Sequence, residues 1–257
     1  MKWTALILVL ALGACSGGTE EETHGEVTHG EATPHWSYEG ETGPEHWAEL
    51  DHSWEIAAKG QSQSPIDLGE AVQGHSGDIN FNYGESGIRI SNNGHTVQIT
   101  VEQGSWMEFG GKRYHLKQFH LHSPSEHAIN GEFSELEVHF VHESDARELA
   151  VVGFLMDAGD PAPFFDLFMD NVPEVGETKV IPDFRADLGR ILPEDTEHKY
   201  HYSGSLTTPP CTENVEWFVL KTHLPASAEQ IAAVVTSPSS TMESAAPAVS
   251  CQGSTWA

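Results

Sequence analysis

The sequence predicts a mostly β protein: a single domain on a central, largely antiparallel sheet, with a few short helices. Three observations carry this expectation. Short runs alternating apolar and polar residues follow one another through most of the chain, the period-2 pattern of half-buried strands. Asn93-Gly94 falls between two such runs and marks a tight hairpin. Helical periodicity is scarce. The 257 residues are enough for one sizeable domain with a buried core, or two small ones.

The strand-like runs are INFNY (79–83), IRI (88–90), TVQITV (96–101), WMEF (106–109), KRYHLKQFHLH (112–122), LEVHFVH (136–142), LAVVGFLM (149–156) and VEWFVLK (215–221). One helix is expected near Asp160-Pro161, a cap followed by a first-turn proline, running on through PFFDLFMDNV. A second is expected over SAEQIAAVV, 227–235.

The ends of the chain read differently. MKWTALILVLALGAC has one basic residue, an apolar run from Trp3 to Leu12, and small residues before Cys15. The run is too short to span a bilayer. It resembles a lipoprotein-type signal peptide (1–14) with Cys15 as the acylated residue; an ordinary cleaved signal peptide with a chance cysteine fits the same run. Either way the domain is expected to be exported, to a bacterial periplasm or envelope, touching the membrane only through a lipid anchor. Residues 15–35 are acidic and Gly-rich, with THGE twice, and are expected to form a disordered tether. Its His24, His29 and His35 have no spacing that fixes a metal geometry. The domain proper is expected over 36–235. Residues 236–257 read as low-complexity coil.

Acidic residues number 39 against 12 basic ones, a net charge of -27. Such a surface repels nucleic acid and anionic lipid, so neither is an expected partner. Hydrophobic content of 38% is ordinary for a soluble globular protein.

The chemistry is concentrated in two strands. Side chains at i, i+2 and i+4 share a strand face. Gln118, His120 and His122 therefore lie together on one strand, and Glu137, His139 and Val141 on another. Sixteen residues separate His122 from His139, enough for a loop and a return to the neighbouring strand. Three imidazoles converging with an open fourth position suit catalytic zinc. A metal-bound histidine donates its other N–H to an acceptor that fixes its tautomer. Gln118 and Glu137, each two residues before a histidine on the same face, are placed to be those acceptors. With 16 histidines in the chain, a bare His-x-His pair would mean little; the third histidine and both acceptors make the case.

Here the sequence resembles a family. HWSYEGETGPEHW (35–47), GQSQSPIDL (60–68), NNGH (92–95), QFHLH (118–122), SEH (125–127), ELEVHFVH (135–142), LAVVGF (149–154) and GSLTTPPC (204–211) match, in order, the α-class carbonic anhydrases. These zinc enzymes are lyases that reversibly hydrate carbon dioxide to bicarbonate and a proton. The resemblance implies a twisted, largely antiparallel sheet with zinc at the bottom of a conical cleft. It also implies a zinc-bound hydroxide as nucleophile, with zinc on His120, His122 and His139. Thr207 would donate its proton to Glu126 and orient that hydroxide. Thr208 would line the bicarbonate position, and Val141, Val151, Leu206 and Trp217 would form an apolar wall for carbon dioxide. His95 would shuttle the product proton, a task that suits a side chain titrating near 6.5. Tyr38, Asn92 or Asn93, and Gln98 would hold relay waters. Oligomeric state is not legible.

Two departures stand out. Cys211 occupies a position where secreted relatives carry half of a disulfide, but no cysteine lies in WEIAAKGQSQSP, where their partner falls. An exported compartment would allow a Cys211–Cys251 bond; the sequence leaves that pairing open. The tail also lacks the arginine and Gln-Pro element of relatives. Missing strands there would expose a sheet edge and lower stability. That tail is the one feature favouring a second reading, a zinc-holding lipoprotein without turnover.

Overall fold

The structure, a computed structural model, describes residues 34–69, 71–235 and Cys251. The expected signal peptide, Cys15, the expected tether up to Thr33 and the tail apart from Cys251 lie outside the described residues. The expectations attached to them stand as sequence readings.

Among the described residues the fold has fourteen strands, four α-helices and three short 3-10 turns. The strands are β1 (Asn80–Asn82), β2 (Glu85–Ser86), β3 (Ile88–Asn92), β4 (Val97–Val101), β5 (Trp106–Phe109), β6 (Lys112–His122), β7 (Ala128–Ile129), β8 (Glu132–Phe133), β9 (Leu136–Ser144), β10 (Leu149–Ala158), β11 (Thr178–Val180), β12 (Ala186–Asp187), β13 (Lys199–Ser205) and β14 (Glu213–Ala226). The helices are α1 (Trp47–Leu50), α2 (Ile56–Lys59), α3 (Pro163–Met169) and α4 (Ala228–Val235). Among the described residues no helix is long and apolar enough to cross a membrane.

Ten strands form one sheet, ordered β11-β3-β4-β6-β9-β10-β14-β13, with β5 joining β6 to β1. Every named pair in it is antiparallel except β10–β14. The chain between those two strands is long and includes a helix, as a parallel pair requires. The Asn93-Gly94 hairpin forms as expected: Asn93 Oδ1 accepts from the N–H groups of His95 and Thr96, and Gly94 takes φ 85°.

The core explains why the central strands read as they do. Phe119, Phe140, Phe154 and Phe218 are buried with Ile90, Ile99, Phe165 and Phe168 in one apolar cluster. Phe119 and Phe140 stack at 4.9 Å. Each such side chain contributes about 1.5–3 kcal/mol on burial. Along β6 and β9 these residues alternate with His120, His122, Glu137 and His139. One face of the sheet therefore supplies cohesion while the other carries polar groups.

Some elements differ from expectation. Helix α3 begins at Pro163, two residues after the expected proline, again with a proline at the first helical position. The short α1 and α2 and the strand β13 were not foreseen. Cys211 and Cys251 are joined, with Cα atoms 5.9 Å apart, which settles the pairing that the sequence left open. Closing a loop of 40 residues stabilises the fold by about 4 kcal/mol in the chain-entropy picture.

Candidate active site and metal centre

Strand register builds the centre. His120 of β6 lies directly opposite His139 of β9, and His122 opposite Glu137. One nitrogen from each of His120, His122 and His139 falls within 4.8 Å of the others. His122 and His139 are buried; His120 is partly exposed.

Hydrogen bonds decide which nitrogens face inward. Nδ1 of His120 lies 2.8 Å from Gln118 Oε1, which leaves Nε2 free. Nε2 of His139 lies 2.8 Å from Glu137 Oε1, which leaves Nδ1 free. Nε2 of His122 is buried with no hydrogen-bond partner, while its Nδ1 lies 3.4 Å from Glu126 Oε1. Burial, then the neighbouring His139, pushes His120 down to about 3. Burial, His139 and His120 likewise hold His122 well below 6.5. Neutral imidazoles keep lone pairs for coordination. Three such donors fit a zinc ion with one open position.

Glu137 is fully buried. Its Oε2 accepts from the N–H groups of Glu126 at 2.9 Å and His127 at 2.8 Å, and its Oε1 also lies 2.6 Å from His127 Nδ1. Burial works to raise this carboxyl, but His127 and His139 hold it well below the usual range. The network continues outward. His127 Nε2 lies 2.7 Å from the Tyr202 hydroxyl, which lies 2.8 Å from Ser64 Oγ. Sequence reasoning missed Tyr202 and Ser64 as supporting groups. His127 sits in the SEH motif, a signal that could have found it.

Glu126 and Thr207 are both buried, and the Thr207 side chain acts to lower the Glu126 pKa. Burial, then the Glu137 carboxylate, outweighs this and pushes Glu126 well above the usual carboxyl range. Val151 and Trp217 share an apolar cluster with the partly buried Val141 and Leu206, so all four expected wall residues come together. The Trp217 ring lies 4.8 Å from that of His139, which puts the cluster beside the imidazoles. Thr208, partly exposed, follows Thr207 and accepts from Cys211 N–H at 2.9 Å.

His95 stacks on Trp36 at 3.7 Å, with His35 6.4 Å and Tyr38 6.3 Å away. Burial, then His35, lowers its pKa below 6.5. Tyr38 also meets Trp36 and Trp47 edge-on, and burial, then Glu126, raises its pKa. Asn92 is committed elsewhere: its Nδ2 donates to Pro173 O and its Oδ1 accepts from Gly94 N–H. Gln98 Nε2 donates to Thr100 Oγ1.

Comparison with known proteins agrees with this geometry. Residues 42–250 match the family model described as eukaryotic-type carbonic anhydrase. A carbonic anhydrase of Nostoc sp. is 40% identical over 207 residues, 78% of each chain. A solved hyperthermostable carbonic anhydrase from an active hydrothermal vent chimney superposes with TM-score 0.77 at 40% identity, covering 80% of this chain and 92% of that one. The α-carbonic anhydrase of Thermovibrio ammonificans, solved with the inhibitor sulfanilamide, gives TM-score 0.77 at 36% identity, with the same coverage.

Proposed function

The chain belongs to the eukaryotic-type, or α-class, carbonic anhydrase family, and from that premise we propose that it works through zinc held by His120, His122 and His139, with His95 exporting the proton. As a member of that family it is an enzyme interconverting carbon dioxide and bicarbonate. The observation carrying the zinc reading is the buried, unpartnered Nε2 of His122 beside two imidazoles whose outer nitrogens are already tied. Zinc, when bound, lowers the pKa of a coordinated water to roughly 7, a value established for this enzyme class rather than obtained from this chain.

The chain's own residues do the rest. Thr207, its proton committed to Glu126, offers an oxygen that accepts a hydrogen bond from the attacking water and aligns it with carbon dioxide. Val141, Val151, Leu206 and Trp217 hold the apolar substrate against that water, and Thr208 meets the bicarbonate product. Gln118 and Glu137 fix two of the imidazoles. His95, kept neutral by its lowered pKa, accepts the proton through waters held near Tyr38 and Gln98 and releases it to buffer.

The test is carbon dioxide hydration by the purified protein, measured with zinc content and sulfonamide inhibition on the same sample. One zinc per chain, activity lost on chelation and regained with zinc, and inhibition by sulfonamide are expected. Bound zinc without hydration would favour a binding module instead.

We further read the protein as exported and anchored through Cys15. A buried disulfide supports an oxidising compartment. Radiolabelled palmitate should enter the wild type and not Cys15→Ser; an unlabelled wild type contradicts the anchor.

A further inference from the structure

We propose that Asn92 is a positioning residue for proton export: its carboxamide ties the turn that carries His95 to the loop after α3, and so sets where His95 stands relative to the buried imidazoles. The proposal rests on the shuttle role given to His95 above.

Asn92 ends β3 and is only 1% exposed. Each of its polar atoms has a partner, as burial requires. Its N–H donates to Glu177 O at 3.1 Å, and its O accepts from Gly176 N–H at 2.8 Å. These two bonds prolong the pairing of β11 with β3, in which Thr178 faces Ser91. The side chain does something different. Its Oδ1 accepts from Gly94 N–H at 3.1 Å, inside the turn, while its Nδ2 donates to Pro173 O at 3.1 Å, 81 positions away. Val175 closes the same joint: a Cβ on Gly94 would stand 3.4 Å from its Cγ1.

The turn has a second anchor on its other side. Thr96 Oγ1 donates to Leu121 O at 3.0 Å, between His120 and His122 on β6. His95 is therefore carried between two fixed points, one on the strand of the imidazoles and one on the loop 173–177. Removing the Asn92 carboxamide releases the second. Gly94 N–H and Pro173 O lose their partner, and Gly94, which has no Cβ, then admits many backbone conformations. The His95 ring, stacked on Trp36, would no longer be held at one distance from the centre. Proton transfer through intervening water needs donor and acceptor in a fixed geometry. A misplacement of about 1 Å can cost on the order of a hundredfold in rate.

The test compares zinc-loaded, full-length Asn92→Ala, His95→Ala and the double variant by stopped-flow hydration. At low buffer, kcat of Asn92→Ala should fall about tenfold, and added imidazole should restore it. Its kcat/KM should stay within about twofold of wild type, because export follows the hydration step. The double variant should be no slower than His95→Ala, since a residue acting only through His95 has nothing left to act on. Should Asn92→Ala not fold, Gly176→Ala loosens the same joint from the loop side. Residue 176 takes φ 83°, where alanine is strained, and no atom lies within 4 Å of a Cβ added there; the same split should follow. A wild-type kcat in the Asn92 variant beside a slow His95→Ala overturns the proposal and leaves the shuttle reading intact. Parallel losses in kcat and kcat/KM, or a double variant slower than His95→Ala, overturn it too. A His95→Ala enzyme as fast as wild type at every buffer concentration would remove the shuttle reading itself, and this proposal with it.

Discussion

Glu137 Oε1 lies 2.8 Å from Nε2 of His139, and this contact decides which nitrogen of the imidazole is left for a metal. The same carboxylate meets His127 and accepts two backbone N–H groups. A buried charge survives only with that degree of pairing. Glu137 therefore links the fold of the SEH turn to the orientation of His139 on β9.

Glu137→Gln keeps the shape and replaces one acceptor oxygen with an NH2 group. Either the two imidazoles or the two backbone N–H groups then face a donor. Zinc affinity should fall about 10–100-fold, read by competition with a chelator. An unchanged affinity would mean that His139 is oriented by packing alone.

Thr207→Ala removes the hydroxyl proposed above to donate to Glu126 and to align the attacking water. Its kcat/KM for hydration should drop about a hundredfold while zinc content stays at the wild-type level. Loss of zinc in parallel would assign Thr207 to metal retention instead.

His95→Ala should slow turnover on the order of a hundredfold at low buffer, with recovery on adding imidazole. Stopped-flow rates across buffer concentrations read this directly. Burial and His35 lower the His95 pKa, so the residue remains a neutral proton acceptor to lower pH than a free histidine would. Identical rates at every buffer concentration would remove His95 from the proton path.

Gly153 sits opposite His139 on β10. A methyl there would lie 3.3 Å from Glu137 Oε1 and 3.6 Å from the His139 ring. Gly153→Ala should lower zinc affinity severalfold by displacing that pair, with the loss visible in the same chelator competition.

On the other face, His142 is buried beside Tyr83, with Nδ1 3.3 Å from Ala150 O, and burial pushes it down to about 3. Between about pH 6.5 and 3 the unfolded chain binds a proton at His142 that the folded chain refuses. Its contribution is thus intact above 6.5 and is lost as pH falls, by about 1.4 kcal/mol per pH unit. His142→Gln should show a flatter fall in stability from pH 7 to 4, measured by denaturant unfolding.

Legibility followed the range of the interactions. The alternation in β6 and β9 is local, so the shared faces of Gln118 with His120 and of Glu137 with His139 could be read directly from the chain. The Asn93-Gly94 turn is equally local. β13 escaped because YHYSGS offers a glycine and serines in place of a clean apolar stripe. Tyr202 and Ser64 escaped because they meet His127 and each other across 75 and 138 positions, and no periodicity encodes such contacts. The union of Cys211 with Cys251 is of the same kind: only the fold brings them within bonding distance.

The most direct test is X-ray absorption at the zinc edge on the purified protein, alongside metal analysis. The account predicts one zinc per chain, bound by three imidazole nitrogens at about 2.0–2.1 Å and one further light atom, with the imidazole signal reduced in His122→Ala. A spectrum with sulfur neighbours, a fourth protein ligand closing the site, or no zinc retained by a folded chain would contradict it.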